Sequence, residues 1–346
     1  MKFLKKSLIC FIFLSFVSVL SAETGNVLLP IIFYTNETGL GLGATDIFYF
    51  KNDVEKHHSA VNTVFFGTTK SQFMLAARPE IHLSSLYSID GFILLSDFNK
   101  QFYGIGNQSY SDSEEDYKNF AYGIGVGIHR KLTDRIKVGI IYNFQNLSVK
   151  NKKSGGFMEQ YDTDGLISGA GLKISYDTRN NNLYARDGWL FEMSWLAFDS
   201  KTGSSFDYSE TEIDLRNYFQ VSKKILFSFQ SYCRFLNGYP PVQILSTFGG
   251  ANSMRGYYSG RYVDNIVMIV QPELKIDLSD LFQIALFSGA GNVYHDLESI
   301  DITKIKTASG AGLRIKLKDN PRINIRTDFG FSCESAGFYV TILEAF

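Results

Sequence analysis

Ala308-Ser309-Gly310-Ala311-Gly312-Leu313-Arg314-Ile315-Lys316-Leu317-Lys318 reads with a period of two. Ser309, Ala311, Leu313, Ile315 and Leu317 fall on one side, and Ala308, Gly310, Gly312, Arg314, Lys316 and Lys318 on the other. Side chains of a strand point alternately to opposite faces, so this stretch predicts a strand with one greasy face and one small or charged face. Leu166, Ser168, Ala170, Leu172, Ile174 and Tyr176 repeat the pattern against Ile167, Gly169, Gly171, Lys173, Ser175 and Asp177. Both runs are near the length of a membrane-crossing strand, about ten residues.

Working outward, the alternation predicts about sixteen such segments, an even number as single-chain bacterial membrane barrels have. They run approximately over 27–36, 38–50, 58–67, 70–82, 86–98, 117–131, 134–149, 163–177, 187–199, 208–221 and 224–236. After a long gap come 264–277, 281–294, 303–318, 321–333 and 337–346. The fold class expected is all-β, a transmembrane antiparallel barrel. An open sheet edge in lipid would leave a row of unpaired N–H and C=O groups, so the sheet must close. Composition fits: 15% aromatic residues, 30 Gly, only 6 Pro and 45% hydrophobic residues. A net charge of −1 gives no footprint for nucleic acid.

Lys2, Lys5 and Lys6 precede an apolar run from Leu8 to Leu20, followed by Ser21-Ala22. This is the layout of a secretory signal peptide, expected over 1–22 with cleavage before Glu23; an uncleaved anchor helix is the alternative. The remaining 23–346 is expected to be barrel, with no room for a periplasmic domain. Cys233 and Cys333 fall on non-neighbouring predicted strands at lipid-facing positions, so no disulfide is expected. Short connections at Leu132-Thr133-Asp134, Ser222-Lys223 and Lys318–Pro321 alternate with long ones at Phe98–Tyr117, Lys150–Asp162 and Leu236–Asp264. Short turns face the periplasm in such barrels, which places both termini there.

An enzyme is the main competing class. The five histidines, His57, His58, His82, His129 and His295, lie in no nucleophile context, and no Gly-x-Ser-x-Gly elbow occurs. His57-His58 is read as a turn rather than a metal site, and no cofactor is expected. Gly39-Leu40-Gly41-Leu42-Gly43 and Gly123-Ile124-Gly125-Val126-Gly127 alternate strictly with no helix after them, so they read as strand rather than nucleotide loop. The acidic run Asp112–Asp116 reads as a solvated loop.

The longest loop carries Phe248-Gly249-Gly250-Ala251-Asn252-Ser253-Met254-Arg255-Gly256-Tyr257. Here the chain resembles the BamA/TamA family of outer-membrane barrels, the bacterial surface antigens, whose sixth extracellular loop has a Gly-Gly run and a Met/Val-Arg-Gly-Phe/Tyr motif. Three other segments carry the resemblance. Asp177-Thr178-Arg179 with Gly188-Trp189 matches a turn between the eighth and ninth strands. Phe102-Tyr103-Gly104-Ile105-Gly106 matches an early extracellular loop. Phe338, Val340, Ile342 and Phe346 match the C-terminal signal read by the barrel-assembly machinery. The resemblance implies that the loop folds into the lumen and that Arg255 meets acids on the following strands. Glu273 is the expected main partner and Asp328 a substitute, because Gly289 stands where the family has a second Asp. It also implies protein insertion or translocation at the Gram-negative outer membrane. The expected partners are the lipid bilayer and lipopolysaccharide, client outer-membrane proteins, and a separate periplasmic protein supplying the absent repeats. A passive porin-like channel, or a structural surface protein, is the alternative. In that family a weak seam between the first and last strands is the working part; Pro30, near the start of the first strand, cannot donate to a ladder there.

Overall fold

A computed structural model of the chain describes residues 24–35, 39–51, 58–109, 114–150 and 155–346. The expected signal peptide and His57 lie outside the described residues. The strands are β1 (Thr24–Thr35), β2 (Gly39–Phe50), β3 (Ser59–Thr68), β4 (Phe73–His82), β5 (Tyr87–Phe102), β6 (Glu115–Lys131), β7 (Ile136–Lys150), β8 (Gly165–Asp177) and β9 (Gly188–Phe198). There follow β10 (Tyr208–Ser222), β11 (Ile225–Gly238), β12 (Ser246–Phe248), β13 (Tyr262–Asp264), β14 (Ile266–Asp277), β15 (Phe282–Tyr294), β16 (Lys306–Lys318), β17 (Ile323–Ser332) and β18 (Ala336–Ile342). Sixteen of them form one sheet in chain order, every ladder antiparallel; β12 and β13 make a separate hairpin.

The faces are inverted relative to a water-soluble protein. Outward-pointing Ile140 is 64% exposed and Leu172 61%, whereas Arg314 and Asp328 are 0% exposed. Apolar outside and charged inside is stable only when lipid bathes the outside. Tyr87, Tyr176 and Trp189 stand outward and exposed at the end of the barrel where β1 starts and β18 finishes. Amphipathic rings favour that depth, at the boundary between hydrocarbon and water.

The first and last strands meet through side chains. Val27 and Leu29 of β1 pack with Ile323, and Ile325, Ile342 and Leu343 lie against the same cluster. β18 has seven residues and β1 twelve, so β18 can offer a backbone partner to at most part of β1. Pro272 interrupts a second place: the β14–β15 ladder skips from Val270↔Ala290 to Glu273↔Phe287. A residue without an N–H cannot donate there.

Several expectations are corrected. The last strand was expected to reach Phe346 in alternation, but it ends at Ile342, where Leu343 takes φ 68°. That left-handed residue reverses the facing, so Glu344 turns inward and Phe346 is buried. Loop lengths do not alternate as cleanly as expected: Thr69–Gln72 and Cys333–Ser335, at the loop end, are short, while Thr178–Asp187, at the opposite end, is long. Cys333 sits in one of those short turns rather than on a lipid-facing strand; it and Cys233 are free thiols. The lumenal side is not uniformly wet either. Toward the loop end Ile167, Phe198, Leu147, Leu236 and Met158 form an apolar cap, because the loops fold over and exclude water from the strand ends. On the outer face Ser168 is buried although it shares the side of exposed Tyr142 and Leu172, its hydroxyl paired with Tyr142 and with the Thr202 carbonyl of the following loop.

Candidate functional site: the lumenal loop and its charged seat

The connection from β11 to β14 runs outward through a 3-10 turn at Val242–Ile244, then forms the β12–β13 hairpin. Its tip, 249–261, descends into the barrel. Phe248, Tyr257 and Tyr262 pack edge to face with centroids 5.2 to 6.2 Å apart. Such aromatic pairs hold geometry as well as area. Gly249 and Gly250 lie at the turn out of β12, and the Gly250 N–H donates to the Tyr257 carbonyl at 3.2 Å. Ser253 lies in the bend that precedes the motif's Met.

Arg255 is buried at the bottom of this tip. Its Nη2 lies 2.5 Å from Glu273 Oε2 on β14 and its Nη1 2.6 Å from Asp328 Oδ2 on β17. Its guanidinium carbon is 3.6 Å from the centroid of the Phe287 ring. Asp328 is therefore a full partner beside Glu273, not a substitute for it. Both acids are also held by Arg314, at 3.0 Å (Glu273) and 2.5 Å (Asp328). The two guanidiniums and two carboxylates form a closed square, the planar fork of each arginine matching one oxygen of each acid. Arg314 Nε continues to Glu344 at 3.2 Å, and Lys275 reaches Glu344 at 2.8 Å. Arg326 lies 3.5 Å from Asp328 and donates to the Ala251 carbonyl and Asn252 side chain of the loop.

The backbone around Arg255 is seated just as closely. Met254 has φ 48°, a conformation costly for a side-chain-bearing residue, and its N–H donates to Gln271 at 3.2 Å. Gly256 has φ 122°, and a Cβ there would lie 2.8 Å from the Phe331 carbonyl carbon. Its N–H donates to Tyr339 Oη at 3.0 Å, and Ser335 donates to its carbonyl at 2.6 Å. Gly330 has no room for a side chain beneath the Arg255 carbonyl. Gly289 faces Met254: a Cβ there would be 2.8 Å from Met254 Sδ. The Met254 thioether thus fills the space opposite Gly289, and the second acid facing Arg255 is Asp328 on β17.

The other segments singled out in the sequence lie elsewhere. Tyr103 packs against Tyr258 and lies 4.9 Å from the Arg261 guanidinium, and the Gly106 N–H donates to the Val263 carbonyl at 2.8 Å. That early loop therefore braces the hairpin from outside. In the turn after β8, Arg179 donates to both oxygens of Asp177, at 3.1 and 2.8 Å. Gly188, at φ 108°, leaves no room for a Cβ beside the Thr178 carbonyl, and the Trp189 side chain stands outward. Phe338 also points outward. Val340 and Ile342 lie half-buried on β18. Sequence reasoning placed Arg314 on the small-or-charged face of its strand without giving it a role, and singled out neither Lys275 nor Glu344. The alternation of β16 held the signal for Arg314; the turn at Leu343 that delivers Glu344 has none.

The Omp85 superfamily domain matches residues 37–341. Among solved structures, BamA from Haemophilus ducreyi lacking POTRA domains 1-3 is similar with TM-score 0.61 and 12% identity, over 98% of this chain and 74% of that one. CdiB from Escherichia coli gives TM-score 0.59 and 11% identity, over 98% of this chain and 67% of that one. CdiB from Acinetobacter baumannii gives 0.57 and 10%, over 98% and 65%. At such identities the likeness is one of fold. No curated protein sequence matches the chain.

Proposed function

The chain belongs to the Omp85 superfamily, and from that premise we propose that it is an outer-membrane barrel that inserts or translocates other proteins. The observation that carries the reading is the loop tip held in the lumen by Arg255 between Glu273 and Asp328. A porin needs an open lumen; here one side of the barrel is filled by protein and the loop end is capped by apolar side chains. The working part is then the wall. The short β18 leaves edge groups of β1 available, and an unpaired edge can template an incoming strand. The charged seat lies beside that edge: Glu344, just beyond β18, is tied through Lys275 and Arg314 to the acids that hold the loop.

In this proposal the end of the barrel where β1 starts and β18 finishes faces the periplasm. Residues 1–22 act as the export signal, supported by the Lys2, Lys5 and Lys6 cluster ahead of Leu8–Leu20. The lipid bilayer with its lipopolysaccharide leaflet, client outer-membrane proteins, the barrel-assembly machinery and a periplasmic protein are the partners. The test is reconstitution. Purified barrel in vesicles should speed the folding of a urea-denatured outer-membrane protein over protein-free vesicles, and should show small flickering currents in planar bilayers. A large, steadily open pore with no acceleration of folding would reject the proposal in favour of a passive channel.

A further inference from the structure

The turn between β8 and β9, Thr178–Asp187, is far longer than the neighbouring two-residue connection Lys223–Lys224 between β10 and β11. Its side chains do not stay near their own strands. Asn182 Nδ2 donates to the His58 carbonyl, just before β3, at 3.0 Å. Leu183 packs against the cluster formed by Val27, Leu29 and Ile323, where β1 and β17 approach. Tyr184 accepts from Gln283 of β15 at 2.9 Å and lies 4.5 Å from the Arg322 guanidinium. Tyr184 and Ala185 are buried with Tyr218 and Leu226 of β10 and β11. Arg186 donates to Asp277 at the end of β14 at 3.0 Å and to the Lys223 carbonyl at 3.2 Å. One ten-residue turn thus touches the barrel wall around most of its circumference.

Geometry allows this only if the turn lies across the mouth of the barrel. Behind it sits a polar cavity of about 290 Å³ whose lining includes Arg179 and Asn182 of the turn with Lys137, Ser175 and His129 of the wall. A second cavity, also about 290 Å³, adjoins it toward mid-barrel, the two sharing Asp90, Lys173, Glu192 and Arg216. Lys173 bridges Asp90 and Glu192 there, at 3.1 and 3.0 Å. The apolar cap lies toward the far end, and among the described residues the turn stands between this polar space and the mouth at its own end.

We infer that Thr178–Asp187 is a lid over the periplasmic mouth, fastened at opposite points of the wall, and that its opening admits solutes from the periplasm to the polar half of the lumen. Asp177 and Arg179 on one side and Gly188 on the other are its fixed ends. The two carboxylate-guanidinium bonds within the first end, and the left-handed glycine at the second, set the direction in which the lid leaves the wall. Between them the lid is fastened by single hydrogen bonds at Asn182 and Tyr184, by the ion pair and carbonyl contact of Arg186, and by packing of Leu183, Tyr184 and Ala185 on the wall; the polar contacts are individually weak enough to exchange. The inference concerns access to the lumen and holds whether or not the barrel inserts other proteins.

The test uses the whole barrel with Cys233→Ser and Cys333→Ser, carrying one reporter thiol at a time. Ser175→Cys reports the cavity, Ala185→Cys the lid, and Asp280→Cys an exposed turn on the same side. With a bulky charged maleimide, Ser175→Cys and Ala185→Cys should label at least tenfold more slowly than Asp280→Cys. Adding Asn182→Ala and Tyr184→Ala should bring Ser175→Cys to within about threefold of the exposed rate, in barrel that still shifts on heating in gel electrophoresis. Equal rates at Ala185→Cys and Asp280→Cys in the otherwise unaltered barrel overturn the inference, and that measurement stands even if the double alanine variant does not fold. Unchanged labelling of Ser175→Cys in a folded double variant overturns it as well.

Discussion

Replacing Glu273 with Gln should cost the barrel more than replacing Arg255 with Met, although each removes the same 2.5 Å ion pair. The reason is the charge tally of the seat. Arg255, Lys275, Arg314 and Arg326 give four cations, against Glu273, Asp328 and Glu344, three acids. Arg255→Met leaves three of each, and both Glu273 and Asp328 keep Arg314. The loss is then two charge-assisted bonds, partly offset by relief of repulsion among the cations, about 2 kcal/mol net. Glu273→Gln instead leaves four cations facing two acids, and withdraws the carboxylate that Arg255, Arg314 and Lys275 contact at 2.5, 3.0 and 3.5 Å. One uncompensated charge about 4 Å from another is worth roughly 4 kcal/mol at an effective dielectric of 20, and removing one member of a buried pair costs about 3–5 kcal/mol. We expect about 4 kcal/mol for Glu273→Gln. The double variant should lose at least 1 kcal/mol less than the sum of the singles, the signature of coupled neighbours, about 0.5–3 kcal/mol in general. Urea unfolding of the barrel in lipid vesicles, followed by tryptophan fluorescence, measures all three. If Arg255→Met proves as costly as Glu273→Gln and the two effects simply add, the charge tally does not govern the seat, and the loop is held by shape alone.

Gly256→Ala should displace the loop tip, since a left-handed backbone and a 2.8 Å approach to Phe331 together cost about 3 kcal/mol; limited proteolysis should then cut between Ala251 and Tyr258, where the parent resists. Gly289→Asp should not strengthen the seat. Its side chain meets Met254 Sδ and should lower stability by about 1–3 kcal/mol in the same urea assay, whereas Gly289→Asp with Met254→Ala should recover part of the loss. N-terminal sequencing of the exported protein should begin at Glu23, and a first residue ahead of Ser21 would contradict the cleavage expected from the sequence. In a chain cut before Glu23, which has lost Cys10, two thiols should react with a small disulfide reagent once the barrel is unfolded without reductant, because Cys233 and Cys333 are unbridged.

The sequence alone determined the sixteen wall strands, though not the β12–β13 hairpin, and which face of most of them meets lipid, because a period of two is a local property that lipid on one side enforces along every wall strand. The resemblance of the loop motif implied a lumenal Arg255, and a guanidinium in a confined lumen is unstable without a carboxylate. The sequence could not determine that Asp328 shares Arg255 equally with Glu273, that Arg314 closes the square, or that Met254 fills the place opposite Gly289. Those depend on which strands lie opposite one another once the sheet has curved, a distance of seventy-three residues in the case of Arg255 and Asp328. Nor could it show that Glu344 turns inward or that Thr178–Asp187 spans the mouth. A single left-handed residue at Leu343 undoes the alternation that the reading relied on, and a turn's reach is set by the walls it finds, not by its own composition. Periodicity fixes what is repeated; the contacts that close a lumen occur once each, and only the folded chain brings them together.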